Sequence, residues 1–337
     1  MVGAHKRLLS EERHGGWMKV AYFNIYKDPA DIRAAVTACP GVEFAAANSE
    51  AELPAALAGA EVIMVANRTY EVEAARLIRE HGRELRWVAF MTSGIDKAIA
   101  NGLPNGVTVT NMAGLRAFAV AEHAFYLMLG LMRASRASEK AQVASDWARI
   151  PLTPLMDNLT GKHLVIVGTG AIGQDIARKA KAFDMRVTGI SRRTDPLDFF
   201  DALRPREDLA TVVAEADILM VAALADDDTF GMISRDVIGA MQRHAHIVNI
   251  ARGSLVDETA LIEALKNGKL AGAGLDVQDQ EPVPAGHPLW ALDNVIITPH
   301  LGGAGSAGLG VTHASLFVEN LKLWLAGKPL QKVVMRT

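Results

Sequence analysis

Short apolar runs recur along the chain and alternate with amphipathic stretches of helical length. "KVAYFN" (19–24), "EVIMVAN" (61–67), "LRWVAFM" (85–91) and "GVTVTN" (106–111) read as buried strands, since their apolar residues run on with little alternation. Between them, "SEAELPAALAG" (49–59), with Ser49 placed to cap, and "EVEAARLIREHG" (71–82), stopped by a glycine, carry helical patterns. From 117 to 135 the pattern predicts one long, largely apolar helix. Its Met and Leu stripe reads as core or subunit interface, and His123 within it as a structural histidine. After the proline-punctuated "IPLTPLMDNLTGK" a second series follows: "HLVIVG", "MRVTGI", "DILMVAA", "HIVNIA", "AGAGLDV" and "NVIIT", six strands separated by helix lengths. A last helix, "SLFVENLKLWLAG", follows them. Strand–helix alternation of this kind predicts an α/β fold, with the second series forming one doubly wound parallel sheet.

Length and composition narrow the classes. A chain of 337 residues fits about two domains. Half of it is hydrophobic and 22% charged, enough to bury ordinary cores. The net charge of −3, without a basic stripe, argues against a nucleic-acid partner. Cys39 is the single cysteine, which excludes an internal disulfide framework and fits a reducing cytoplasm; it reads as a small buried residue and not a nucleophile. No apolar stretch nears the ~20 residues of a membrane span, so no membrane partner is expected. Charges interrupt the N-terminus too often for a signal-peptide core. Residues 1–17 therefore read as a disordered extension or an upstream start, with His5 and His14 solvated and Met18 opening the first strand.

Candidate chemistry begins at "VIVGTGAIG". Gly168, Gly170 and Gly173 form G-x-G-x-x-G directly after an apolar strand and before a good helix, with Ala171 and Ile172 opening that helix. The first glycine permits a tight turn, the second lets backbone approach a pyrophosphate, and the third lets helix and strand pack closely. An acidic residue is then expected to hold the adenosine ribose. Eighteen residues past Gly173 stands Ser191, followed by Arg192 and Arg193. An Asp there would repel a 2′-phosphate, whereas Ser can hydrogen-bond one and arginines can form charge-assisted contacts. NADP(H) is therefore preferred, with NAD(H) left open. Asp226, Asp227 and Asp228, after "DILMVAAL", argue the other way if they face the adenosine pocket.

Three further stretches bear on the reaction: "NIARGSLVD" with Arg252, "GLDVQDQEPVP" with Asp276 and Glu281, and "NVIITPHLGG" with His300. Arg252 and Glu281 are 29 residues apart, and Glu281 and His300 are 19 apart. With these motifs, over roughly residues 18 to 330, the chain resembles the D-isomer-specific 2-hydroxyacid dehydrogenase family. The resemblance implies that Arg252 binds the substrate carboxylate and polarises the 2-keto oxygen, and that His300 exchanges the proton. It also implies that Glu281 orients His300 and that Asp276 holds the nicotinamide carboxamide, with Arg252 and His300 lying beside the cofactor.

In the family, backbone amides of a glycine loop hold the substrate carboxylate. The corresponding stretch here is "MTSGID", with Ser93 and Gly94 as donors and Thr92 where the family usually has glycine, which predicts an altered pocket mouth. Arg68 could add a second charge or be a surface residue. Leu224 replaces the usual proline after the fourth cofactor-domain strand. The family further implies two Rossmann-like doubly wound parallel-sheet domains in a discontinuous layout: 18–111 with 306–337 as substrate domain, an inserted 112–305 as cofactor domain, a cleft between them, and a homodimer with helix 117–135 near its interface. No metal is expected. The expected activity is NADP(H)-dependent reduction of a small 2-keto acid, glyoxylate or hydroxypyruvate first. A formate dehydrogenase would have Gln where Glu281 stands. Rival readings are a phosphite or other D-2-hydroxyacid dehydrogenase of this fold, and a non-enzymatic dinucleotide sensor.

Overall fold

The structure is a computed structural model that describes residues 17–25, 30–193, 195–305 and 312–337. Of the expected N-terminal extension, residues 1–16 lie outside the described residues. Two compact units are present: Met1–Leu115 with Gly308–Thr337, and Arg116–Ala307 inserted between those segments.

Along the first unit the strands are β1 (Met18–Phe23), β2 (Val42–Ala47), β3 (Ala60–Val65), β4 (Trp87–Phe90) and β5 (Thr108–Thr110). The second unit holds β6 (His163–Val167), β7 (Arg186–Ile190), β8 (Ala202–Arg204), β9 (Ile218–Val221), β10 (His246–Asn249), β11 (Gly272–Leu275) and β12 (Val295–Ile297). The chain then returns to the first unit as β13 (Val333–Arg336).

In the first unit the order is β13-β5-β4-β3-β1-β2, parallel except for β13, which runs antiparallel to β5. Side chains alternate between two cores: Ala21, Phe23, Ile63, Val65 and Val88 on one face, Val20, Tyr22, Val62, Met64 and Trp87 on the other. Helix Val72–His81 covers the first face and helix His313–Leu325 the second, where Phe317 stacks on Trp87 at 5.1 Å. Two buried faces are what make these strands read as unbroken apolar runs.

The second unit's sheet, β12-β11-β10-β9-β6-β7-β8, is wholly parallel. Its order reverses between β6 and β9, the switch point of a doubly wound sheet. Helix α1 (Ala117–Met132) supplies Leu127 and Met128 to one face, and α2 (Ala171–Lys181) supplies Ile176, Ala177 and Ala180. All strands being parallel, their carboxyl ends share one edge, and loops leaving that edge lie side by side.

Some sequence expectations need correction. The second sheet has seven strands and not six, and β2 and β13 also escaped the pattern. β8 and β13 are short edge strands without the buried signature, and β2 is masked by its run of alanines. Ser49 stands before a 3₁₀ turn, Glu50–Glu52, but its side chain makes no capping bond. The long helix ends at Met132, because Ala134 adopts a left-handed φ of 47°. Cys39 is free and buried. Among the described residues no helix is long and apolar enough to cross a membrane, and no cluster of three or more His, Cys, Asp or Glu could hold a metal ion.

Candidate active site

Local geometry gives each glycine of the loop after β6 its own task. Gly168 has φ +100°, and a Cβ there would lie 2.6 Å from the Ala223 backbone, so the turn passes tightly against the end of β9. A Cβ on Gly173 would lie 2.0 Å from the Gly168 carbonyl oxygen, which lets the first turn of α2 fold onto the loop. Gly170, the N-cap of α2, would meet nothing within 4 Å. The loop is thus closed on the protein side and open at Gly170, where the N–H groups of Ala171 and Ile172 begin the helix. An anionic diphosphate fits such a cradle.

At the end of β7 the Ser191 N–H bonds the Arg204 carbonyl at 3.0 Å, and Ser191 Oγ accepts the Arg193 N–H at 3.2 Å. The hydroxyl keeps its own hydrogen to donate, while Arg192 and Arg193 are exposed. Residues 191–193 carry no carboxylate. Asp226 is folded into its own loop, with Oδ1 2.9 Å from Thr229 Oγ1, and Thr229 is fully buried. Asp227 and Asp228 are exposed, and Leu224 is 66% exposed beside them.

Arg252, Glu281 and His300 leave the same sheet edge after the neighbouring strands β10, β11 and β12. Asn249, 1% exposed, donates from Nδ2 to the Arg252 carbonyl at 2.8 Å and accepts the Ala251 N–H at 3.0 Å, which fixes the loop that carries the guanidinium. Next to it, a Cβ on Gly253 would fall 2.0 Å from Gln278 C and 2.2 Å from Asp279 N. Only glycine permits that approach, and it locks the loops of Arg252 and Glu281 backbone to backbone. Glu281 Oε1 accepts the Gln278 N–H at 3.2 Å, leaving Oε2 2.8 Å from His300 Nδ1. Burial pushes the Glu281 carboxyl up, but the bond to His300, the charges of His300 and Arg252 and the Gln278 N–H outweigh it and hold it below its ordinary range. An ionised Glu281 assigns the ring proton to Nδ1 and leaves Nε2 for exchange. The His300 ring is 46% exposed.

Asp276 is held from within the chain. Its side chain is 2% exposed; Oδ1 accepts from Thr298 Oγ1 and the Leu301 N–H, both at 2.7 Å, and Oδ2 accepts the Gly302 N–H at 2.8 Å. Both oxygens accept from within the chain, so Asp276 braces the turn of His300. Asn249, Gln278 and Thr298 were missed in the sequence; the signal available was polar residues where strands otherwise read apolar.

Arg68, Ser93 and Gly94 belong to the first unit. Arg68 is exposed on the turn after β3; Ser93 is exposed and Gly94 buried. Thr92 Oγ1 takes the Asn67 N–H at 3.3 Å and lies 2.8 Å from the Gly94 carbonyl, so the hydroxyl is engaged inside the loop. Asn111 Nδ2 donates to the Ser93 carbonyl at 2.6 Å. Among the described residues, the N–H groups of Ser93 and Gly94 find no acceptor.

Residues 125–302 match the family described as D-isomer specific 2-hydroxyacid dehydrogenase, NAD binding domain. The chain belongs to the D-isomer specific 2-hydroxyacid dehydrogenase family. Within that family it is 38% identical to a glyoxylate reductase of Pyrococcus furiosus over 231 residues, covering 67% of this chain and 68% of the relative. It is 32% identical to a glycerate dehydrogenase of Methylorubrum extorquens over 295 residues, covering 84% and 88% respectively. A D-isomer specific 2-hydroxyacid dehydrogenase of Xanthobacter autotrophicus Py2, solved with NADPH and MES, superposes with a TM-score of 0.79 at 25% identity, over 95% of this chain and 98% of that one.

Proposed function

We propose that this dehydrogenase reduces a small 2-keto acid, glyoxylate or hydroxypyruvate, with NADPH as the preferred reductant. The observation that carries the reading is the 2.8 Å Glu281–His300 pair on a loop locked through Gly253 against that of Arg252. The second unit is the proposed dinucleotide-binding domain and the first the substrate domain. The nicotinamide, when bound, supplies the hydride; the chain's own groups do the rest. Arg252, permanently charged and planar, binds the carboxylate and polarises the 2-keto oxygen. His300 gives that oxygen a proton from Nε2, and Glu281 stabilises the charged ring and its orientation. The N–H groups of Ser93 and Gly94 are the proposed further carboxylate donors, with Arg68 adding charge.

The preference for NADPH is supported by the turn after β7, where one hydroxyl and two arginines replace a carboxylate, and by the inward fold of Asp226. The relatives support the substrate class: one is named a glyoxylate reductase, another a glycerate dehydrogenase. A homodimer is proposed on the exposure of Val143, Trp147 and Ile150, at 88, 92 and 86%, following α1, itself bearing the half-exposed Tyr126. The test is kcat/KM for NADPH and NADH with both keto acids, beside an Arg252→Ala variant. A large NADPH preference, abolished turnover and retained cofactor binding in the variant are expected. Full activity of that variant refutes the mechanism.

A further inference from the structure

His123 lies in the apolar helix α1, yet its ring does not simply fill space. Nε2 stands 2.8 Å from Thr298 Oγ1 and 3.1 Å from Asp276 Oδ1, with the side chain 16% exposed. Thr298 already commits its hydrogen to Asp276 Oδ1 at 2.7 Å, so it accepts from His123, and a carboxylate also only accepts. Both neighbours therefore require a proton on His123 Nε2.

Asp276 passes this contact on. Its carboxylate takes the N–H groups of Leu301 and Gly302, and its main-chain carbonyl takes that of His300 at 2.8 Å. His300 itself has φ +54°, a left-handed backbone on a residue that is not glycine. Left-handed geometry of this kind turns successive N–H groups into one concavity suited to an anion, and the anion here is the chain's own Asp276. Such backbone persists only where its surroundings over-determine it. Gly302 belongs to the same clasp, since a Cβ there would meet Asp276 Oδ2 at 2.8 Å and His123 Cδ2 at 3.7 Å.

We propose that His123 is a positioning residue for His300, acting through Thr298 and Asp276; the proposal rests on reading His300 as the proton donor. A plain core residue would leave a carboxylate oxygen and a hydroxyl short of a donor without changing the fold of α1, whereas His123 ties that helix to the turn on which the imidazole sits.

The experiment compares wild type, His123→Leu, His123→Gln, Thr298→Val and the Leu/Val double variant in the full chain. It measures kcat and KM with NADPH and glyoxylate or hydroxypyruvate. The His300 ring signal is followed by NMR without cofactor, assigned through its loss in His300→Asn. His123→Leu should lower kcat roughly tenfold or more, since sub-ångström misplacement of a reacting group is costly, while KM for NADPH stays unchanged and the His300 signal shifts. His123→Gln, which returns a donor near the Nε2 position, should restore most of kcat. The double variant should be no worse than the poorer single one, because all act through one contact. A His123→Leu protein with kcat within about twofold of wild type and an unmoved His300 signal overturns the proposal, as does additivity or a glutamine variant as slow as the leucine one. If His123→Leu fails to fold, Thr298→Val decides: a slowed enzyme with a shifted His300 signal is expected, and unchanged behaviour overturns the proposal. Wild type inert on both keto acids would refute the functional reading instead, and the NMR comparison would still decide the positioning.

Discussion

Replacing Gly253 by alanine tests the proposed catalytic arrangement without touching any group that reacts. The new Cβ would start 2.0 Å from Gln278 C, where ordinary contact begins at 3.4 Å, so the two loops must separate by 3.4 − 2.0 = 1.4 Å. Neither side can yield by rotating a side chain, because the clash is with main-chain atoms. Glu281 hangs from Gln278 N–H and aims at His300, so the displacement shifts the proposed orienting carboxylate, and the proposed acid bonded to it, relative to Arg252. Overpacking of this kind should cost about 1–3 kcal/mol of stability. A shift of about 1 Å at reacting groups should lower kcat on the order of 100-fold. The glycine loop lies two strands away from β10 in the sheet, about 10 Å at ordinary strand spacing, so cofactor affinity should be preserved. The assay is steady-state turnover of glyoxylate or hydroxypyruvate, with cofactor binding followed by NADPH fluorescence and folding by thermal melt. A variant that melts earlier yet keeps wild-type kcat would refute the reasoning, since the contact would then serve packing alone.

Three further outcomes follow from the same geometry. Glu281→Gln keeps a hydrogen-bond acceptor but removes the charge, and should lower kcat about 30-fold, equivalent to about 2 kcal/mol for a lost charge-assisted bond; unchanged turnover would count against the pair. Arg192→Ala and Arg193→Ala should each raise KM for NADPH roughly 10- to 100-fold and leave KM for NADH alone, whereas equal effects on both cofactors would dismiss the 2′-phosphate site. Burial pushes His246 down to about 4 from 6.5, and burial also lowers His163. The unfolded chain therefore binds the protons more readily than the folded one. The stability from keeping His246 neutral is full above pH 6.5 and is lost as pH falls from there towards about 4, a swing of about 3 kcal/mol. Urea unfolding at pH 7 and pH 4.5 should show a smaller loss in His246→Leu than in wild type; equal losses would reject the assignment.

What could be read from residue types alone was the part that repeats a physical pattern. Run-on apolar strands reported sheets buried on both faces, and the glycine spacing reported a turn that leaves no room for Cβ atoms at Gly168 and Gly173. Edge strands β8 and β13 left no such mark, because among the described residues they are mostly exposed and their side chains need not be apolar. The carboxylate of Asp276 shows the other limit. Its residue type suits a ligand contact and an internal clasp equally well, and only the folded turn of His300 reveals the clasp. His123 was hidden for the opposite reason, since a histidine inside an apolar helix looks like filling until a partner 175 residues away, just past β12, is brought to it.

The position of β12 at the end of its sheet also bears on how the enzyme would lose activity. It has three residues and, among the described residues, pairs with β11 alone, whereas β10, which leads to Arg252, is flanked on both sides. Strands held on one side open locally at lower free energy than the interior of a sheet. Warming should therefore release His300 first, giving a population that still binds dinucleotide but has lost the proposed proton donor. Heat inactivation would then precede the loss of cofactor binding, and hydrogen exchange at residues 295–297 would run ahead of exchange at 246–249.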